Sequence, residues 1–159
     1  MPPIDNLDAR LIALFSERPQ VGVLGASRVL GVARGTVQAR LDRLIERGVI
    51  SSLGPSVSPA ALGYPVMAFC TLEIQQRKGR DKVVEHLAEI PEVLEVHTIT
   101  GSGDLFARFV AKDNSDLQRV IDQVVGDGLV VRASTTIALA ELVEHRTLPL
   151  VRKSGGISD

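Results

Sequence analysis

Between Gly22 and Gly48 the chain reads GVLGASRVLGVARGTVQARLDRLIERG, and its polar residues are of the kind that hold nucleic acid. Arg34, Gln38, Arg40, Arg43 and Arg47 fall on the sides that an apolar stripe leaves free. An Arg fork matches a guanine edge or a phosphate, a Gln amide matches adenine, and a Thr side chain meets the thymine methyl. At about 100° per residue, the face opposite Val37, Leu41, Leu44 and Ile45 centres on Gly35, Ala39, Asp42 and Glu46. Gly35 and Ala39 are small enough to let a helix approach a groove floor. Arg34, Thr36 and Gln38 sit near the helix start, placed for base edges, and Arg40 and Arg43 are placed for phosphate. The same pattern also describes the solvated charged face of a plain helical bundle. The stretch alone leaves both readings open.

A second constellation is Gly101-Ser102-Gly103-Asp104. Its glycines free backbone N–H groups to approach a ligand, a concavity that suits a carboxylate. Asp104 can accept from an α-ammonium group. The alternative is a tight hairpin turn in which Asp104 bonds its own backbone. Other candidates carry less. His86, His97 and His145 lie far apart without metal-ligand spacing, and no metal or cofactor site is expected. Cys70 lies in an apolar run and reads as an inert core residue. Glu92 and Glu95 flank a strand start and read as solvated. No nucleophile, base and orienter assemble from these motifs, so an enzyme is not expected.

The elements that must position these residues follow from periodicity. Leu7, Leu11, Ile12, Leu14 and Phe15 predict a helix over Asp5 to Glu17, capped by Asp5 or Asn6 and ended by Pro19. Val23 to Leu30 is a short second helix stopped by Gly31. Arg34 to Arg47 is the third, stopped by Gly48. Val37, Leu41, Leu44 and Ile45 complete a three-helix core. Val49 to Ser58, with a Gly54-Pro55 turn, reads as a small hairpin, the wing of a winged helix-turn-helix spanning residues 1–58. Residues 59–65 are uncharged and rich in Ala, Gly and Pro, a linker.

Residues 66–151 then alternate. A buried strand over Val66 to Ile74 precedes a helix over Lys82 to Ile90, with Val83, Val84, Leu87 and Ile90 inward. Val93 to Thr100 is a strand, and Leu105 to Ala111 is its antiparallel partner. A helix capped by Asp113, Asn114 or Ser115 runs to Val125. Gly126 to Gly128 turns the chain into a last strand, Val130 to about Leu142. The order β-α-β-β-α-β is the ferredoxin-like plan, so the fold class is α+β. The first and last strands carry apolar residues on both faces, which calls for a cover and predicts a dimer. Residues 152–159 read as a polar, loose tail.

Bulk properties narrow the class. A chain of 159 residues with 45% hydrophobic content builds real cores, and with 3% aromatics those cores must be aliphatic. A single cysteine excludes an internal disulfide and fits a reducing cytoplasm. No apolar run approaches the roughly 20 residues of a membrane span. The net charge of −1 is unevenly spread. Residues 1–65 carry seven Arg, no Lys and five acids; residues 66–151 carry nine basic and thirteen acidic groups. A mildly basic front and an acidic back fit a DNA-facing module joined to one that is not.

Taken together, LDARLIALFSERPQV, then GASRVLGVARGTVQARLDRLIERGVI, then the proline-bounded linker and the glycine-rich turn resemble the Lrp/AsnC feast/famine regulators. The resemblance covers about Leu7 to Leu150, and the order and spacing of its parts are more specific than either half. It implies a sequence-specific DNA-binding transcriptional regulator of double-stranded DNA. It implies a dimer, domain-swapped or tightly paired, often built into tetramers or octamers. It also implies a C-terminal domain that senses a small molecule, usually an amino acid. Carried over by family position, Gly101, Ser102, Gly103, Asp104 and Leu105 line the effector site, with Thr136 as a second contact. The chain departs from the family at two places. Ala33 stands where a capping Ser is common, and Gly103 and Leu105 surround Asp104 where aromatic residues are common. Two other classes stay open at this point: an architectural DNA-coating protein with little ligand response, and an allosteric or enzyme subunit without DNA affinity.

Overall fold

The computed structural model describes residues 4–75, 80–126 and 128–157. Residues 1–3, 76–79, 127, 158 and 159 lie outside it, and with them the middle of the expected Gly126–Gly128 turn and the end of the expected tail. Two compact units emerge. One comprises the chain up to Pro55 together with the chain from Val143 onward; the other is Ser56–Leu142.

The first unit opens with α1, Asn6–Glu17. Asp5 caps it: its carboxylate accepts the N–H of Asp8 at 2.8 Å, and the Asp8 carboxylate accepts the N–H of Asp5 at 3.2 Å. Both orphan donors of the helix start are thereby satisfied. The second helix, α2, spans Gly22–Leu30 and ends on Gly31 at φ 70°, a left-handed conformation that favours glycine. The third, α3, spans Arg34–Glu46. Its N-cap, Ala33, is extended as a cap should be, but it offers no side-chain bond. Relative to Ser this forgoes about 1 kcal/mol. Leu11, Leu14, Ala26, Val37, Leu41 and Leu44 fill the core. Ile45, expected to complete it, is 44% exposed. The buried stripe of α3 is narrower than the periodicity implies, because only the Val37–Leu41–Leu44 edge is covered.

Two expectations are corrected in this unit. Residues 49–58 form no strand, so there is no wing hairpin. Val49 and Ile50 instead donate to the Leu44 carbonyl at 2.9 and 3.1 Å, which keeps the chain against the helix end. The Gly54 N–H is taken by Ser52 Oγ at 2.9 Å, and Pro55 has no N–H to give a ladder. The second correction concerns the tail. Leu148–Gly155 is a helix, α6, that packs on α1. Gly155 is the point of close approach: a Cβ there would overlap the Cβ of Ala9 and crowd the Asp5 carbonyl. Val151 and Ile157 add to the core, and Arg152 donates to Glu17 at 3.0 Å.

The second unit contains β1 (Val66–Ile74), α4 (Arg80–Ala88), β2 (Val93–Thr98), β3 (Leu105–Ala111), α5 (Asn114–Val125) and β4 (Val130–Ala138). The sheet is antiparallel in the order β2-β3-β1-β4, as the β-α-β-β-α-β reading requires. Residues 60–62 form a short 3-10 turn ahead of β1, inside the segment read as a linker. Alternation sorts the sheet. Ala68, Cys70, Leu72, Leu105, Ala107 and Phe109 join Val83, Leu87, Leu117, Val120 and Val124 of the helices in one core. Val84, expected inward, is 39% exposed, because Val83 and Leu87 already occupy the face of α4 that meets the sheet. β4 ends at Ala138 rather than near Leu142, since Ala138 pairs with Met67 and β1 then runs out of partners.

Replacing Gly155 by Val should loosen α6 from α1 through overpacking, at a cost of about 1–3 kcal/mol. Denaturant unfolding of the full chain against wild type measures it.

Candidate functional site

The front unit presents one face of α3. Arg34, Gly35, Thr36 and Gln38 are all exposed along the first half of the helix. The side chain of Arg34, its first residue, makes no hydrogen bond or ion pair among the described residues. The Gln38 amide donates to Asp42 Oδ1 at 2.8 Å, an i,i+4 bond that lays it along the helix. The small residues Gly35 and Ala39 are exposed beside them, and no Cβ added at Gly35 would meet another atom.

Arg40 does something different. Its guanidinium bonds the Asp5 carboxylate and, at 2.9 Å, the Asp8 carboxylate. Asp8 is 1% exposed, and Arg43 reaches both of its oxygens at 3.2 Å. Arg40 therefore fastens α3 to the cap of α1. Arg43 keeps 46% of its side chain exposed and faces outward as well. The Arg40 guanidinium, with the Asp8 N–H, holds the Asp5 carboxyl below the usual aspartate range, and Asp5 in turn holds Arg40 above the usual arginine range. Sequence reasoning missed Asp5 and Asp8 as partners. The available signal was Asp8 itself, at helical spacing between Ile4 and Leu11 on the buried side of α1.

In the other unit the turn is larger than the tight hairpin expected. Thr98 pairs with Leu105, leaving a loop over residues 99–104, with Gly101 at φ 116°. Asp104 is bound three ways to neighbouring backbone. Its N–H donates to Leu72 at 2.9 Å, its carbonyl accepts from Ile99 at 3.1 Å, and its Oδ2 accepts the Ile74 N–H at 2.9 Å. Gly103 lies against Thr71, where a Cβ would overlap the Thr71 methyl. The loop is thus clamped onto the end of β1, with the Asp104 side chain still exposed. Ser102 is exposed and Leu105 is 1% exposed in the core. Thr136 is not brought to the loop within this chain. It pairs with Phe69, three residues or about 10 Å along β1 from Leu72.

Remaining candidates resolve into structural roles. Cys70 is buried, burial pushes its thiol up, and Thr135 donates to its sulfur at 3.4 Å. Glu92, expected to be solvated, is 12% exposed in its side chain and bonds Arg119 at 2.5 Å. Among the described residues no cluster of His, Cys, Asp or Glu could hold a metal ion, and no helix is long and apolar enough to cross a membrane.

The profile of the Lrp/AsnC ligand binding domain matches residues 67–148. The chain belongs to the Lrp/AsnC family. It is 30% identical over 147 residues to the HTH-type transcriptional regulator FL11 of Pyrococcus furiosus, covering 92% of this chain and 97% of that protein. Its fold superposes on E. coli AsnC with a TM-score of 0.84, at 24% identity, over 92% of this chain and 99% of that one. It also superposes on a transcriptional regulator of Neisseria meningitidis solved as an L-Met complex, with a TM-score of 0.82 at 21% identity, over 92% and 97% of the two chains. The Lrp/AsnC fold here is α+β with a four-stranded antiparallel sheet.

Arg40→Ala should cost about 1–3 kcal/mol, because it strips a charge-assisted bond from the buried Asp8 carboxylate. The Asp5 contribution to stability is present above its unfolded value of about 3.9 and is lost as pH falls through its lower folded value. Acid unfolding of the Arg40→Ala protein should therefore show that component reduced to what the Asp8 N–H supplies, which a pH series of denaturation curves resolves.

Proposed function

We propose that this Lrp/AsnC protein is a cytoplasmic DNA-binding transcriptional regulator whose binding or assembly responds to a small molecule, most simply an amino acid. The carrying observation is kinship along nearly the whole chain with a named HTH-type transcriptional regulator, FL11. The geometry of α3 supports it. Helices α2 and α3, joined through Gly31, form the helix-turn-helix, and the exposed first half of α3 enters the major groove. Arg34 reads guanine, Gln38 and Thr36 contact neighbouring base edges, Gly35 permits close approach, and Arg43 meets phosphate. Arg40 acts through α1, as a positioning residue.

The β-α-β-β-α-β unit is the sensor and the assembly surface. An L-Met complex of a Neisseria meningitidis regulator with this fold supports an amino-acid effector. The 99–104 loop would supply backbone N–H groups to a carboxylate and Asp104 Oδ1 to an ammonium. Thr136, distant from the loop in one chain, would join from another copy or bind elsewhere. The sheet face away from α4 and α5 carries Met67, Phe69 and Phe106, the two rings stacked at 5.6 Å, and supports pairing with a second copy. A two-fold dimer places its reading helices on successive turns of one DNA face, so the operator should be an imperfect palindrome.

Arg34→Ala should lose about 1–3 kcal/mol at a preferred operator and little on random duplex, narrowing the ratio between them in a binding assay. Indifference of both wild type and variant to sequence would remove the base-reading role. Asp104→Ala should leave basal DNA binding intact and abolish its response to an amino-acid mixture; an unchanged response would move the effector site off this loop.

A further inference from the structure

The front unit contains a cavity that neither α3 nor the 99–104 loop accounts for. It has a volume of about 310 Å³ and opens between α1, the end of α2 and α6. Arg10 and Arg18 stand on its α1 side, and the Arg152–Glu17 pair, at 3.0 Å, lines it where α6 meets α1. Leu14, Leu30 and Ile157 form an apolar floor.

Its charge is one-sided. The single carboxylate, Glu17, is matched by Arg152, which leaves the charges of Arg10 and Arg18 uncompensated. Neither guanidinium makes a hydrogen bond or ion pair among the described residues. Two guanidinium forks over an aliphatic floor suit an anion with an apolar tail. A planar carboxylate fits a fork in bidentate fashion, and the tail removes apolar floor from water.

We infer that this cavity is a second small-molecule site, for an organic monocarboxylate with an aliphatic tail, built into the unit that carries α3. It is separate from the 99–104 loop, and the inference stands whether or not that loop binds an amino acid. Occupation would tie α1, α2 and α6 together through one ligand.

The test is calorimetric titration of the full chain with octanoate, octanamide and inorganic phosphate. Octanoate should bind saturably, and octanamide, alike in shape but uncharged, at least about tenfold more weakly. Phosphate should not displace octanoate at equal concentration. Arg10→Gln/Arg18→Gln changes only exposed side chains, so the fold should hold, and octanoate affinity should fall by about tenfold or more. Asp104→Ala should leave octanoate binding unchanged. Absence of octanoate binding up to millimolar concentration, equal binding by the double variant, or loss in Asp104→Ala would each overturn the site. Displacement of octanoate by phosphate would overturn the assigned ligand class.

Discussion

A buried carboxylate governs the posture of the front unit. Asp8 sits at 1% exposure in a small aliphatic core and must be answered by charge. Arg40 and Arg43 answer it from α3, while Asp5 and Asp8 complete each other's backbone bonds at the start of α1. One cluster therefore caps the first helix and sets the third against it. It also divides the arginines of α3 by role. Arg40 and Arg43 bond the start of α1, and Arg34 at the helix start does not. The residues of α3 that stay exposed toward its start are Arg34, Thr36 and Gln38.

The sensor unit is organised around β1, which lies between β3 and β4 and meets the loop before β3 at its end. The Asp104 contacts to Leu72 and Ile74, with Gly103 pressed on Thr71, make that loop an extension of the sheet. The same clamp takes one oxygen of Asp104.

The end of the chain belongs to the front unit's architecture. Through α6 it covers α1, contributes Val151 and Ile157 to the core, and walls a cationic cavity. A polar, Gly/Ser-rich ending hides this well, because the residue that makes the docking tight is Gly155, which has no side chain to signal burial.

The limits of the three front helices, and the existence and connection order of the four strands though not all their ends, were legible in the sequence, because capping residues, left-handed glycines and apolar periodicity are local properties. Asp5 before α1, Gly31 after α2 and Asp113 before α5 act within a turn of themselves. The exposed start of α3 and the glycine loop were visible for the same reason. What depends on a distant partner was not. Residues 49–58 alternate like a hairpin yet bond to Leu44. Arg40 looks like a phosphate contact yet belongs to Asp5 and Asp8. Thr136 stands in register with Phe69, away from the loop. Local conformation is written in neighbouring residues; which charge meets which, and which face is covered, is settled only when segments far apart in sequence close-pack.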